Sequence, residues 1–448
     1  MYDVVILGGG PGGYRAAERT AEAGLRTVLI EEHYLGGTCL NVGCIPTKTL
    51  LNSAKTVAHI NQSARIGVRA HASFDLPAAM KWKTQVISGL RKGIAATLKK
   101  SGVEVVEGRG RLVARNAVQV GSARYEGRYL ILASGSSPAR PPVPGIDSDG
   151  VVDSSGLLEI STMPKAVTVV GGGYIGMEFA SFFALLGVPV TVVEMMDEII
   201  PFMEPELAAL LRKSITGVSY RLGERVKRIE AGALICERDG REERVESELI
   251  LISTGRRPNV SGLGFEENGL DVDRDGIRVN DYLETNLPGV FAVGDVTGRS
   301  LLAHSAYRMA DVAASRILER EGHGRAQRMR YEAVPWVVFT QPEVAGCGMT
   351  AAEARRAGLT VKTGSISLKV SGRYVAEHPG ENGTARVIAD EQSGRILGVQ
   401  MLGSGVSELI FGAALMIENE LRIKDVREVI FPHPTVSEVY RDVMWDME

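Results

Sequence analysis

The stretch Val4-Val5-Ile6-Leu7-Gly8-Gly9-Gly10-Pro11-Gly12-Gly13 decides the fold of this chain. Four apolar residues in a row suit a central parallel strand, buried on both faces. They lead into a G-x-G-x-x-G turn formed by Gly8, Gly10 and Gly13. The segment from Tyr14 to Ala23 is rich in Ala, Glu and Arg and stops at Gly24, which predicts a helix. Thr27-Val28-Leu29-Ile30 predicts a second strand, closing on Glu31. Strand, glycine turn, helix, strand and acid in this register make a full dinucleotide-binding fingerprint. Glycines let a pyrophosphate approach backbone N–H groups, and the helix start lends it partial positive charge. Glu31 is placed to accept from ribose hydroxyls. A glycine triplet alone would be weak evidence; its flanks make it specific.

The pattern returns later in the chain. Ala166 to Val170 predicts a strand, followed by a turn with Gly171, Gly173 and Gly176. A helix is expected from Met177 to Leu186, ending at Gly187, and then a strand, Val190 to Val193, that closes on Glu194. Leu132-Ala133-Ser134-Gly135-Ser136-Ser137-Pro138 is also similar to Ile252-Ser253-Thr254-Gly255-Arg256-Arg257-Pro258. The reading is two related nucleotide-binding domains on one plan. Val290-Phe291-Ala292-Val293-Gly294-Asp295 adds a strand with a carboxylate at its carboxyl end, where α/β sheets bind ligands. Asp295 is either a turn or cap residue or, more in keeping with its position, part of the first nucleotide site.

Between the two units lies Gly36-Gly37-Thr38-Cys39-Leu40-Asn41-Val42-Gly43-Cys44-Ile45-Pro46-Thr47-Lys48. A C-x4-C pair does not suit a zinc site, which usually draws on a second ligand pair. The only other cysteines, Cys236 and Cys347, stand alone. Two readings remain: a redox-active dithiol, or two buried thiols acting as small hydrophobes. Flanked by two nucleotide sites, the dithiol reading implies electron flow from one cofactor to another through cysteines.

Bulk properties agree with a cytoplasmic enzyme of three or so domains in 448 residues. A net charge of -3 leaves no electrostatic footprint for nucleic acid or an anionic membrane. No apolar run approaches the span of a bilayer. The chain enters a strand at Tyr2, with no charged and apolar leader ahead of it.

These motifs together resemble the pyridine nucleotide-disulphide oxidoreductases over nearly the full length, and within them the dihydrolipoamide dehydrogenase branch. The dithiol segment ending Ile45-Pro46-Thr47-Lys48 is similar to that branch's redox-disulphide signature, and His433-Pro434-Thr435-Val436-Ser437-Glu438 to its C-terminal catalytic motif. The resemblance implies an α/β fold with two Rossmann-like domains, for FAD and NAD, and an α+β C-terminal dimerisation domain. It divides the chain into an FAD domain (1–140), an NAD domain (141–260), a return to the FAD domain (261–325) and the interface domain (326–448), with a linker over 319–330. It implies Gly8, Gly10, Gly13, Glu31, Lys48, Asp295 and Ala303 at FAD, and Gly171, Gly173, Gly176, Glu178, Glu194 and Gly255 at NAD. Cys39 would exchange with substrate, Cys44 would face the flavin, and Lys48 would pair with Glu178. His433 would be the general base, oriented by Glu438, as an imidazole titrates in the useful range. His433-Pro434 is a candidate cis bond. The implied reaction is reoxidation of dihydrolipoamide on a lipoylated carrier protein or domain. The implied assembly is a homodimer in which His433 serves the partner's dithiol.

Two departures stand out. Phe431 occupies a position where the branch often has a second histidine. Ser305-Ala306-Tyr307-Arg308-Met309-Ala310-Asp311 replaces an acidic, glycine-containing turn. Glutathione-type reductases are the nearest alternative, but they usually carry basic residues for the 2′-phosphate of NADPH. Here Glu194 is followed by Met195-Met196-Asp197-Glu198, which would repel it.

Overall fold

A computed structural model describes residues 1–447. Residues 1–49, 80–139 and 255–329 form one compact unit, and residues 50–79, 140–254 and the chain from 330 onward form a second.

In the first unit, strand β1 (Tyr2–Leu7) leads to helix α1 (Pro11–Glu22) and strand β2 (Thr27–Glu31). The chain continues through α2 (Gly37–Val42) and α3 (Cys44–Gln62) to α4 (Leu76–Lys100). Strands β3 (Glu104–Glu107), β4 (Gly110–Ala114), β5 (Ala117–Val120) and β6 (Ala123–Leu132) follow, and then β7 (Ser136–Pro138). The sheet order is β3-β2-β1-β6-β5-β4, with the strand Val290–Ala292 on β6. β1 is paired in parallel on both sides, with Leu7 between Ile30 and Leu132. A strand buried on both faces explains its unbroken apolar run: Val4, Val5 and Ile6 are fully inaccessible.

The helix begins at Pro11, three residues before the expected start. Proline is pre-organised for a first helical position and its missing N–H costs nothing there. The third glycine therefore sits inside the first turn. A Cβ on Gly13 would strike the Gly8 carbonyl, and one on Gly8 the Ala133 carbonyl. Only bare backbone lets the helix start abut the strand end.

The second unit repeats this plan. Strand β8 (Val151–Asp153), helix α5 (Ser154–Leu157), strand β9 (Val167–Val170), helix α6 (Tyr174–Leu185) and strand β10 (Val190–Glu194) follow in order. The parallel sheet is completed by Val218–Leu222 outside β10 and by Leu249–Ile252 between β9 and β8. Gly8 and Gly171 have φ of 106° and 105°. A Cβ on Gly176 would strike the Gly171 carbonyl, as at Gly13 and Gly8. α6 also starts three residues before its expected start, with its third glycine again inside the first turn, although no proline opens it.

The C-terminal part of this unit is an antiparallel five-stranded sheet. Its order is Trp336–Val338, Val344–Gly348, Ile396–Leu402, Thr384–Asp390, Val361–Ser367. The helices Val406–Glu418 and Val439–Trp445 contribute Ile410, Ala413, Ile417, Val439 and Val443 to its core. Two α/β nucleotide-type sheets and an α+β C-terminal part are the fold class the sequence predicts. The helix Ala303–Arg320 ends inside the segment 319–330, whose remaining residues form no helix or strand. Among the described residues, no helix is long and apolar enough to cross a membrane.

The glycines give a first prediction. Gly176→Ala forces a methyl onto backbone and should destabilise the protein by about 1–3 kcal/mol, the usual cost of overpacking. Gly173 has φ -79° and nothing within 4 Å of a built Cβ, so Gly173→Ala should leave the urea midpoint within experimental error. Equal midpoints for the two variants would refute the close-approach reading.

Candidate active site

Cys39 and Cys44 form a disulfide with Cα atoms 4.6 Å apart. Cys39 lies on the six-residue α2, and Cys44 is the first residue of the 19-residue α3. A helix N-terminus favours a thiolate, so the position suits Cys44 once the bond opens. The other two cysteines are different: burial pushes the Cys236 thiol up to about 11 and the Cys347 thiol up to about 12. Both are buried, which disfavours the reactive thiolate. The dithiol alternative therefore prevails over two packed hydrophobes. Among the described residues, no group of three or more His, Cys, Asp or Glu could hold a metal ion.

The acids at the ends of β2 and β10 have matching roles. Gly9 N–H donates to Glu31 Oε2 and Gly172 N–H to Glu194 Oε2, each at 2.6 Å. His33 N–H and Met196 N–H donate to the other oxygens, each at 2.8 Å. Each carboxylate oxygen keeps a lone pair for a ribose hydroxyl. Gly10 would meet only Gly37 Cα, at 3.7 Å, on gaining a Cβ, and Gly173 nothing. Both turns thus present open backbone at a helix start, which fits a dinucleotide pyrophosphate.

Asp295 opens the short turn after Val290–Ala292. Ser136 Oγ donates to its carboxylate at 2.5 Å. Arg256 donates to Ser136 Oγ at 2.7 Å and to Ser136 O at 2.5 Å, and reaches Thr38 Oγ1 at 3.4 Å. Burial raises the Asp295 carboxyl above its ordinary value, while Ser136 and Arg256 oppose that rise. Ser136 and Arg256 were not singled out from sequence. The signal was there: the two similar segments pair with each other, Ser136 against Pro258 and Arg256 against Pro138. Ala303 is the first residue of the helix Ala303–Arg320, whose open N-terminus lacks a side-chain cap. Gly255 has φ 110°, and its carbonyl accepts from Ala139 N–H at 2.9 Å. Lys48 lies one turn into α3.

Glu178 is buried in α6, and its carboxylate accepts from Phe339 N–H at 3.1 Å. His433 is 79% exposed, and its Nδ1 lies 3.1 Å from both oxygens of the buried Glu438. Thr435 N–H donates to Glu438 at 3.0 Å; this bond, then His433 and Arg441, hold the Glu438 carboxyl below its ordinary value. The anion is therefore retained at neutral pH, with the opposite ring nitrogen, Nε2, available for a proton. His433–Pro434 is cis. Phe431 packs against the C-terminal core. Tyr307 bonds the hydroxyl of Tyr14, and Asp311 accepts from Arg15 and Arg19 at 3.0 and 3.1 Å. Both sequence departures thus have packing roles.

Residues 2–310 match the family described as pyridine nucleotide-disulphide oxidoreductase, and residues 334–444 match its dimerisation domain. The chain belongs to the pyridine nucleotide-disulphide oxidoreductases, working with FAD and NAD as a flavin-dependent disulphide oxidoreductase. It is 37% identical to dihydrolipoyl dehydrogenase 3 of Pseudomonas aeruginosa, covering 100% of this chain and 98% of that protein. It is 38% identical to dihydrolipoyl dehydrogenase of Thermus scotoductus, covering 98% and 95%. Among solved structures, LpdA from Mycobacterium tuberculosis is similar at a TM-score of 0.91 and 26% identity, covering 100% of both chains. The HOCl-induced flavoprotein disulfide reductase RclA from Escherichia coli is similar at 0.87 and 28%, again over 100% of both.

Asp295 gives a pH prediction. Its folded carboxyl has a pKa above the ordinary 3.8, so the charged form is disfavoured on folding. Stability is unaffected well below 3.8, falls as pH rises from there to the folded value, and is level above it. Asp295→Asn keeps an acceptor for Ser136 and carries no charge. In FAD-free protein it should gain urea stability over wild type at pH 7 and lose that advantage at the acid end. A variant less stable at pH 7 than wild type would contradict this.

Proposed function

We propose that this chain is a dihydrolipoyl dehydrogenase, oxidising the dihydrolipoyl group of a carrier protein or domain and reducing NAD+ to NADH. The observation that carries it is the exposed His433 held by an ionised Glu438 in a chain that also holds a redox disulfide. A disulfide reductase acting on a dithiol needs a base, because the thiolate is the nucleophile. Full-length likeness to several dihydrolipoyl dehydrogenases supports the substrate.

The chain's residues act in sequence. His433 Nε2 takes the proton of one substrate thiol, and Glu438 stabilises the resulting imidazolium. The substrate thiolate attacks Cys39 Sγ, breaking the Cys39–Cys44 bond and releasing the Cys44 thiolate at the start of α3. The second substrate sulfur displaces Cys39, closing the lipoyl ring and leaving the enzyme dithiol. Bound FAD supplies a two-electron carrier between that dithiol and NAD+. The Gly8–Gly13 turn, Glu31, Lys48, Asp295 and the helix start at Ala303 would hold the flavin nucleotide. The Gly171–Gly176 turn, Glu194 and Gly255 hold NAD. Glu194 favours NAD over NADP, because a 2′-phosphate would face its negative charge.

His433 belongs to the segment matched by the dimerisation domain. On the helix Val406–Glu418, Phe411 is 71% and Leu415 51% exposed, one turn apart on the face away from the core. This outward apolar pair, in the segment matched by the dimerisation domain, supports a contact surface there. The active unit is a homodimer in which His433 serves the partner's Cys39–Cys44, at work in the cytoplasm.

Dihydrolipoamide with NAD+ should yield NADH, while NADPH with glutathione disulfide should give at most trace oxidation. Cys39→Ser should abolish the first reaction while leaving NADH-driven ferricyanide reduction. The opposite substrate preference, or lipoamide turnover in Cys39→Ser, would defeat the proposal.

Subunit sharing is tested by mixing. Cys39→Ser and His433→Gln homodimers are each inactive; after subunit exchange each heterodimer holds one intact site. Activity should recover to about a quarter of wild type, since half the dimers are mixed and half their sites are intact. No recovery with exchange confirmed by mass would place His433 with its own subunit's dithiol or remove it as the base.

A further inference from the structure

Three side chains beside the redox disulfide have no part in the reaction described above. Arg91 of α4 donates from Nε and Nη2 to Asn41 Oδ1, at 3.1 and 2.6 Å. Its guanidinium also lies 3.9 Å over the centre of the Tyr34 ring. Asn41 is in the last turn of α2, and its amide donates to Leu35 O at 3.1 Å and Gly37 O at 2.8 Å. One guanidinium therefore grips the cysteine segment on both sides of the Gly36-Gly37 bend, where φ is 100° and 57°.

That grip matters because α2 has little of its own to hold it. It has six residues and no side-chain cap. A helix this short is not stable alone in water. Leu40 buries one face, the disulfide ties the segment to α3, and Asn41 braces its bend. During turnover the disulfide opens, and that cross-link is lost, leaving the backbone through Gly43 and the side-chain contacts. The remaining hold then decides how near Cys39 stays to Cys44. Reclosure is a thiolate attack between neighbours, so its equilibrium rises with their effective concentration.

We infer that Tyr34, Arg91 and Asn41 form a clip that keeps the opened dithiol poised to reclose, with Arg91 as a positioning residue for the redox pair. The clip needs a planar cation. A lysine ammonium cannot donate a fork to one oxygen while stacking flat on a ring. The inference rests on Cys39–Cys44 being the redox group, and its test reads the thiols directly.

The FAD-loaded protein is equilibrated with reduced and oxidised dithiothreitol in a series of ratios. The dithiol opens the protein disulfide and leaves as its own cyclic disulfide, so two thiols appear for each one oxidised. Thiols are then alkylated and counted by mass, with flavin absorbance recorded at each point. In Arg91→Gln and in Asn41→Ala the protein disulfide should open at a dithiothreitol ratio about five- to tenfold more oxidising than in wild type; tenfold corresponds to about 30 mV for two electrons. Arg91→Lys should move with Arg91→Gln. Unchanged flavin content and melting temperature separate this from unfolding. If Arg91→Gln does not fold, Tyr34→Leu removes the stacking alone and should shift the midpoint the same way by less. Midpoints that coincide with wild type in the folded variants, or a wild-type midpoint in Arg91→Lys, would overturn the clip. A wild-type disulfide that stays closed across the whole series would overturn the redox reading itself.

Discussion

A carboxylate bonded to the middle N–H of a glycine turn is the constraint on which both nucleotide sites depend. Glu31 reaches Gly9 and Glu194 reaches Gly172, each at 2.6 Å. A bond from a backbone donor to an ionised acceptor is roughly twice as strong as a neutral one. It pins the turn to the end of the second strand, and so fixes where the helix starts. That structural bond accounts for the acid recurring at the same offset in both halves, and the proposed ribose contact would draw on the same group. The absence of a side chain at Gly13 and Gly176 completes the constraint, because each helix start abuts the carbonyl of the first glycine.

The redox pair is built on the opposite principle. Its bond must break, so the surroundings cannot rely on it. Cys44 begins a 19-residue helix, a firm support with a partial positive charge at that end. Cys39 rides on a short helix held mainly by side chains. One sulfur is thus fixed and the other is on a segment that depends on its contacts. This suits an exchange in which one cysteine receives substrate and the other is the leaving group.

Much of this was legible in the sequence because it depends on local chemistry. Val4 to Leu7 reads as a doubly buried strand, and Gly8, Gly10, Gly13 and Glu31 as a nucleotide turn, since each requirement is met within one βαβ unit. The helices start three residues ahead of their sequence signal, because the third glycine looks like turn while it sits in the first helical turn. What could not be read depends on residues far apart in the chain. Arg256 and Ser136 meet across 120 positions, Tyr14 and Tyr307 across 293, and Arg91 and Asn41 across 50. No periodicity or spacing links such pairs. Phe431 shows the converse: as a departure from a motif it was opaque, and its place against the C-terminal core explains it by packing.

The proposed base sits where a bulky carrier would demand it. A lipoyl group borne on a protein would need its proton acceptor at an accessible surface. His433 is the exposed member of its pair, while Glu438 is buried and tied to Thr435 N–H. An exposed imidazole alone would swing freely and lose catalytic effect, since proton transfer needs a held geometry. Burying the carboxylate and exposing the ring resolves the conflict, because orientation comes from below while the outer nitrogen stays open. The Thr435 N–H contributes more than the imidazole to keeping Glu438 ionised. The backbone bond from Thr435 N–H thus anchors the carboxylate independently of the ring that it orients.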